Sequence, residues 1–130
     1  MKKYQNLIRK GVNEPLQNVP FHKKASIKRL SMLSKNIIPV SNTHVAVHFV
    51  DASRKLPTYS SLHSHNKDEI NLILSEDSKL KYKIQLEDET YDITSPSTVF
   101  IPKGLKHSAQ AISGKGIFVC IILSDCYSSK

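Results

Sequence analysis

Three imidazoles and one carboxylate in this chain fall at the spacing of a single metal site: His63, His65 and Glu69 in one segment and His107 in another. Side chains at i and i+2 of an extended strand point to the same face, so His63 and His65 can present two nitrogens to one point. Glu69 has the same parity and could return to that point after a short bend through Asn66-Lys-Asp68. His107 would arrive from a later strand, after a turn set by Pro102 and Gly104. Only a folded barrel of strands would bring two such segments together. Neutral imidazole and carboxylate suit one divalent first-row ion such as iron, manganese, nickel or zinc, with coordination positions left for water, dioxygen or substrate. A His-x-His pair alone would be weak, because two exposed histidines on a strand give the same string. The added Glu and the Pro-x-Gly-x-x-His segment make coincidence a poor explanation.

These segments resemble the two signature motifs of the cupin superfamily. His63-Ser-His65-Asn-Lys-Asp-Glu69 matches the core of the first, and Thr98-Val-Phe-Ile101-Pro102-Lys-Gly104-Leu-Lys-His107 matches the second with its preceding apolar strand. The resemblance spans roughly residues 42 to 124 and fills all four metal-ligand positions with the expected residue types. Pro57, Glu76 and Pro96 stand where the motifs usually carry glycine, and Ala111 stands where an Asn often follows the last histidine. Pro and a Ser-Glu-Asp-Ser stretch can also turn a chain, with different torsions, so these departures bear on loop shape.

Size and composition agree with one domain. A chain of 130 residues that is 39% hydrophobic can build one core and not two ordinary ones. No apolar run approaches about 18 residues, and the first ten residues hold no stretch suited to a secretory signal. The expectation is a cytoplasmic protein without membrane association. Cys120 reads as a small buried hydrophobe and Cys126 as a residue near the chain end; the pair lacks metal or redox spacing. The net charge of +8 is concentrated: residues 1 to 30 carry eight Lys or Arg against Glu14 alone. The remainder is nearly neutral. The basic segment has no aromatic interleaving and no DNA-binding motif, so nucleic acid is disfavoured as a partner and a solvated or dimer-swapped arm is expected.

Residues 1 to 24, with Gly11, Pro15 and Pro20, read as an irregular N-terminal basic arm, in which His22 carries no signal. Residues 25 to 130 read as a single cupin-like domain. Ala25 to Leu33 fits either a short helix or a strand. Beyond it come short strands with turn punctuation: 44–50, 70–74, 80–86, 91–93, 98–101, 107–112 and 116–123. The pattern calls for an all-β antiparallel barrel or jelly roll, in agreement with the resemblance.

If Glu69 faces inward, parity brings Asn71 and Ile73 inward too. Asn71 could then orient a ligand or serve as a hydrogen-bonded core amide. His48 and Gln85 are weaker candidates of the same kind, and His44 and His48 otherwise read as ordinary strand residues. No general base stands out, with Tyr59 and Tyr82 the candidates, and Asn71 is a further catalytic candidate through its power to orient a ligand or a metal-bound water. Lys103 and Lys106, with Arg54 and Lys55, could make a cationic mouth that favours an anionic substrate. The resemblance implies a metal-dependent reaction of lyase, isomerase or dioxygenase type on a small oxygenated molecule, through His63, His65, Glu69 and His107. The alternative is a non-catalytic metal- or ligand-binding module. A homodimer is expected, because small barrels with exposed sheet edges often pair.

Overall fold

The computed structural model describes residues 2–123, so Cys126 lies outside the described residues. Nine strands occur among them: β1 (Val12–Asn13), β2 (Lys28–Leu33), β3 (His44–Asp51), β4 (Glu69–Leu74), β5 (Lys81–Leu86), β6 (Glu89–Thr94), β7 (Ser97–Ile101), β8 (His107–Ser113) and β9 (Lys115–Ile122). They form a six-stranded sheet in the order β1-β2-β3-β9-β4-β7 and a three-stranded sheet in the order β6-β5-β8, with every pairing antiparallel. The expected all-β jelly roll is therefore present. The ambiguous segment before residue 34 resolves as strand β2, held by its register with β3.

Alternation decides which residues face in. On β3 the buried positions are His44, Ala46, His48 and Val50, and on β4 they are Glu69, Asn71 and Ile73, which confirms the parity expected for Asn71. β4 grades from polar to apolar along its inner face, whereas on β3 the imidazoles of His44 and His48 alternate with Ala46 and Val50. Because β9 pairs Ile122 with His44 and Glu69, and Phe118 with His48 and Ile73, His44 lies level with Glu69 and His48 level with Ile73. One end of the interior is thus apolar, built on Val50, Ile73, Leu80, Tyr82, Ile84 and Phe118. Full burial of side chains of this size stabilises by roughly 1.5–3 kcal/mol each. That end fixes the strands from which polar groups project at the other.

Local chemistry sets the turns. The β5–β6 hairpin joins Leu86 and Glu89 through two residues, and Glu87 has the positive φ of 53° that such tight loops require. Gly116 on the central strand β9 passes so close to β4 that an added Cβ would lie 2.2 Å from the Leu74 carbonyl oxygen. Only glycine fits there.

The first 24 residues also make contacts with the rest of the domain. Val12 and Asn13 pair with β2, Leu16 and Val19 are buried, and Leu16 packs with Ile27 and Tyr59. Further on, the Ser61 amide donates to the Phe21 carbonyl at 2.9 Å and the Lys23 amide to the Tyr59 carbonyl at 2.8 Å. This segment is stitched to the strand-like chain that leads into the first histidine motif. Among the described residues no helix is long and apolar enough to cross a membrane.

Candidate metal centre

The two motifs meet through the backbone. His63 and His107 form an antiparallel bridge, with the His63 amide donating to the His107 carbonyl at 3.0 Å and the His107 amide to the His63 carbonyl at 2.7 Å. Gly104, at φ 85°, turns its amide onto the His65 carbonyl at 2.7 Å, and the Lys103 amide donates to the Asp68 carboxylate at 3.0 Å. The Pro102-Lys-Gly104 turn is therefore held against the first motif. A side chain at position 104 would be strained whatever the space around it, since that φ is left-handed.

This framework gathers His63, His65 and His107, all buried, with their ligand nitrogens within 4.8 Å of one another. The Glu69 Oε1 atom lies 3.1 Å from Nε2 of both His65 and His107. Two of the rings are oriented from behind: the Nδ1–H of His63 donates to the Ser61 carbonyl at 2.5 Å and that of His107 to the Leu105 carbonyl at 3.0 Å. Backbone acceptors of this kind leave Nε2 aimed at the common centre. Glu69 is held as well, because Asn71 Nδ2 donates to its Oε2 at 2.8 Å and the Cys120 thiol approaches the same oxygen at 3.5 Å. Asn71 and Cys120 are cross-strand neighbours in the β4–β9 register. Three imidazole nitrogens and one carboxylate, each supported by a second group or an inward strand position, fit a first-row divalent ion.

Electrostatics follow from burial and pairing. Desolvation pulls the His63 pKa down to about 4 despite its bond to Ser61. Burial opposes ionisation of Glu69, but hydrogen bonds from His107, His65 and Asn71 outweigh it and hold the carboxyl well below its usual range. Burial also opposes charge on His107, where the partnership with Glu69 prevails and raises its pKa. Glu69 thus supplies a negative charge at the cluster over the working range. Burial raises Cys120 far above the ordinary thiol value and so keeps it a thiol. Asn71→Leu is expected to lower metal affinity by roughly 10- to 100-fold with the fold retained, as loss of supporting partners generally does. Competition with a chromophoric chelator measures that change.

The centre opens on a cavity lined by Arg29, His48, Tyr59, Asn71 and Tyr82 together with His63, Glu69 and His107. About 30 Å³ of it is open to the centres of water-sized spheres, room for an ion and one or two waters. The Tyr59 hydroxyl accepts the Ala111 amide at 3.0 Å, and Tyr82 stacks on Phe118 at 4.9 Å between ring centres. Burial raises the pKa of both phenols, so they remain protonated. Lys103 and Lys106 are exposed and are not among the cavity-lining residues, and Gln85 bonds the Glu87 carbonyl at 2.9 Å.

Three neighbours of the site escape the sequence reading. Phe21 stacks on His63 at 4.8 Å with planes 6° apart, and His22 meets the same ring edge-on at 5.9 Å. Arg29, only 3% exposed, reaches the cavity from β2. In residues 28–33 alternation sets polar Arg29 and Ser31 on one face and apolar Leu30 and Met32 on the other, so the sequence gives no sign that the polar face is the buried one. For Phe21 and His22 the sequence carries no periodic signal. Phe21 has φ 67°, a left-handed conformation costing roughly 1–2 kcal/mol for such a residue, and its ring covers the outer face of His63.

No protein-family profile and no curated protein matches this chain. Solved structures do. KdgF from a Halomonas species superposes with a TM-score of 0.55 at 15% identity, over 76% of this chain and 80% of that one. A cupin 2 domain-containing protein from Halorhodospira halophila gives 0.61 at 17% identity, over 80% and 68%. An oxalate decarboxylase of Bacillus subtilis gives 0.60 at 13% identity, over 93% of this chain and 31% of that longer one. At these identities the likeness establishes the fold. Two antiparallel sheets with both histidine motifs brought to one point, and this set of structural neighbours, give the chain the fold of the small cupins.

Proposed function

We propose that this cupin binds one divalent transition-metal ion through His63, His65, Glu69 and His107 and acts as an enzyme of lyase, isomerase or dioxygenase class on a small oxygenated, anionic substrate. The observation that carries the reading is the convergence of three buried imidazoles within 4.8 Å, two of which, His63 and His107, line a cavity. A bound ion there would supply Lewis acidity and open coordination positions. The protein's own groups orient the donors from behind, keep Glu69 ionised and shield the centre with Phe21. Tyr59 and Tyr82, kept protonated by burial, serve as hydrogen-bond donors rather than bases. Lys103 and Lys106 act at long range, by drawing anions toward the cavity end of the molecule. The proposal includes a homodimer in a reducing cytoplasm, paired through a sheet edge such as β7, where Phe100 is 56% exposed.

The small size of the cavity favours a second reading, a module that holds a ligand without converting it. Turnover screening of the iron, manganese, nickel and zinc forms against small hydroxy, oxo and sugar acids separates the two. Conversion by one metal form is the expected result. Tight binding without product in all four would establish the module.

A further inference from the structure

We propose that Arg29 and His48 form a recognition site for one carboxylate group of a small acid, inside the cavity that the metal-centre histidines also line. The inference deepens the functional reading by naming the substrate's chemistry, and it rests on that reading for the reaction only. The two residues are direct cross-strand partners in the β2–β3 register and project from the same inner face. Arg29 is 3% exposed and His48 5% exposed, and both line the cavity with Asn71, Glu69, His63 and His107. Arg29 Nη2 comes 3.4 Å from His44 Nε2.

A buried guanidinium needs compensation. Arg29 Nη1 donates to the Glu14 carboxylate at 2.5 Å and to the Glu14 carbonyl at 3.3 Å, but that carboxylate is 41% exposed and its charge is partly screened by water. Nη2 has only the long contact to His44, which burial keeps uncharged by lowering its pKa. In the lining of the same cavity, Nδ1 of His48 is buried with no hydrogen-bond partner among the described residues. Leaving such an atom unsatisfied carries a desolvation penalty that a ligand oxygen would remove. A cation and a neutral donor lining one small cavity suit a planar two-oxygen anion, which the guanidinium fork matches.

The test is an NMR titration of the labelled full-length protein with acetate and with its neutral isostere acetamide, in chelated and zinc-loaded forms. Acetate is expected to shift the side-chain signals of Arg29 and His48 in both forms, and acetamide at equal concentration is not. Arg29→Gln should weaken acetate binding at least tenfold and His48→Phe by about three- to tenfold. If Arg29→Gln unfolds because Glu14 loses its partner, the acetate–acetamide comparison on the unmutated protein and His48→Phe decide. Equal responses to the two probes, no response to acetate, or unchanged acetate affinity in the folded variants would overturn the assignment. Acetate binding by a protein that takes up no transition metal would uphold it and remove the metal reading instead.

Discussion

His65→Ala is expected to reduce transition-metal affinity by more than a hundredfold. The ring is 2% exposed, lies among the other two imidazoles at 4.8 and 5.1 Å between ring centres, and sits 3.1 Å from the Glu69 carboxylate. Loss of an outer-shell partner alone costs about 10- to 100-fold, and a lost ligand costs more. Cobalt titration followed by its visible absorption reads the affinity and the coordination number together. The Gly104 amide bonds to the His65 backbone carbonyl, so the variant keeps the turn that positions His107. Undiminished binding in a folded His65→Ala protein would take His65 out of the ligand set.

Acidification is expected to destabilise the metal-free protein between about pH 6.5 and 4. Burial brings the pKa of His48 to about 3 and that of His63 to about 4, from an ordinary value of 6.5. The unfolded chain takes up protons at these positions before the folded one does, so folding stability falls as pH falls through this window. By pH 4 His48 alone removes roughly 3 kcal/mol. Glu69, whose folded pKa is depressed, loses its stabilising ionisation only at lower pH, whereas the stability from the raised His107 is gained above 6.5 and stays constant through this window. Chemical denaturation at a series of pH values measures the slope. His48→Phe should flatten it, because the apolar ring has no proton to gain. Stability independent of pH across this window would show that these imidazoles titrate as solvent-exposed ones do.

Much of the metal centre is legible from residue spacing. The i, i+2 relation of His63 and His65, the parity of Glu69 and Asn71, and the Pro102-x-Gly104 turn before His107 each express a backbone constraint that does not depend on distant contacts. The remainder depends on packing. Arg29 sits in a stretch that helix and strand propensities divide between them, and only pairing with β3 decides which face it takes. Leu16, Val19 and Phe21 belong to an aperiodic segment whose burial comes from docking against Tyr59, Ile27 and His63. Cys120 reads as an apolar filler until the β4–β9 register sets it beside Asn71 and Glu69. Charge composition by itself points to the loop lysines, although the cationic group in the cavity is the buried Arg29.

The arrangement also explains why a small domain can carry a polar interior. The apolar end built on Ile73, Tyr82 and Phe118 holds the two sheets, and the inward polar residues at the other end lie on those same strands. The donors are therefore positioned mainly by strand register and by two backbone-buttressed rings, with the turn at Gly104 closing the set.

Elemental analysis of the protein purified without added metal tests the central claim most directly. The account predicts about one equivalent of a first-row transition ion per chain, bound through neutral imidazoles and an ionised carboxylate and released on acidification as those groups protonate. Absence of any ion, both as purified and after reconstitution with iron, manganese, nickel and zinc, would contradict it.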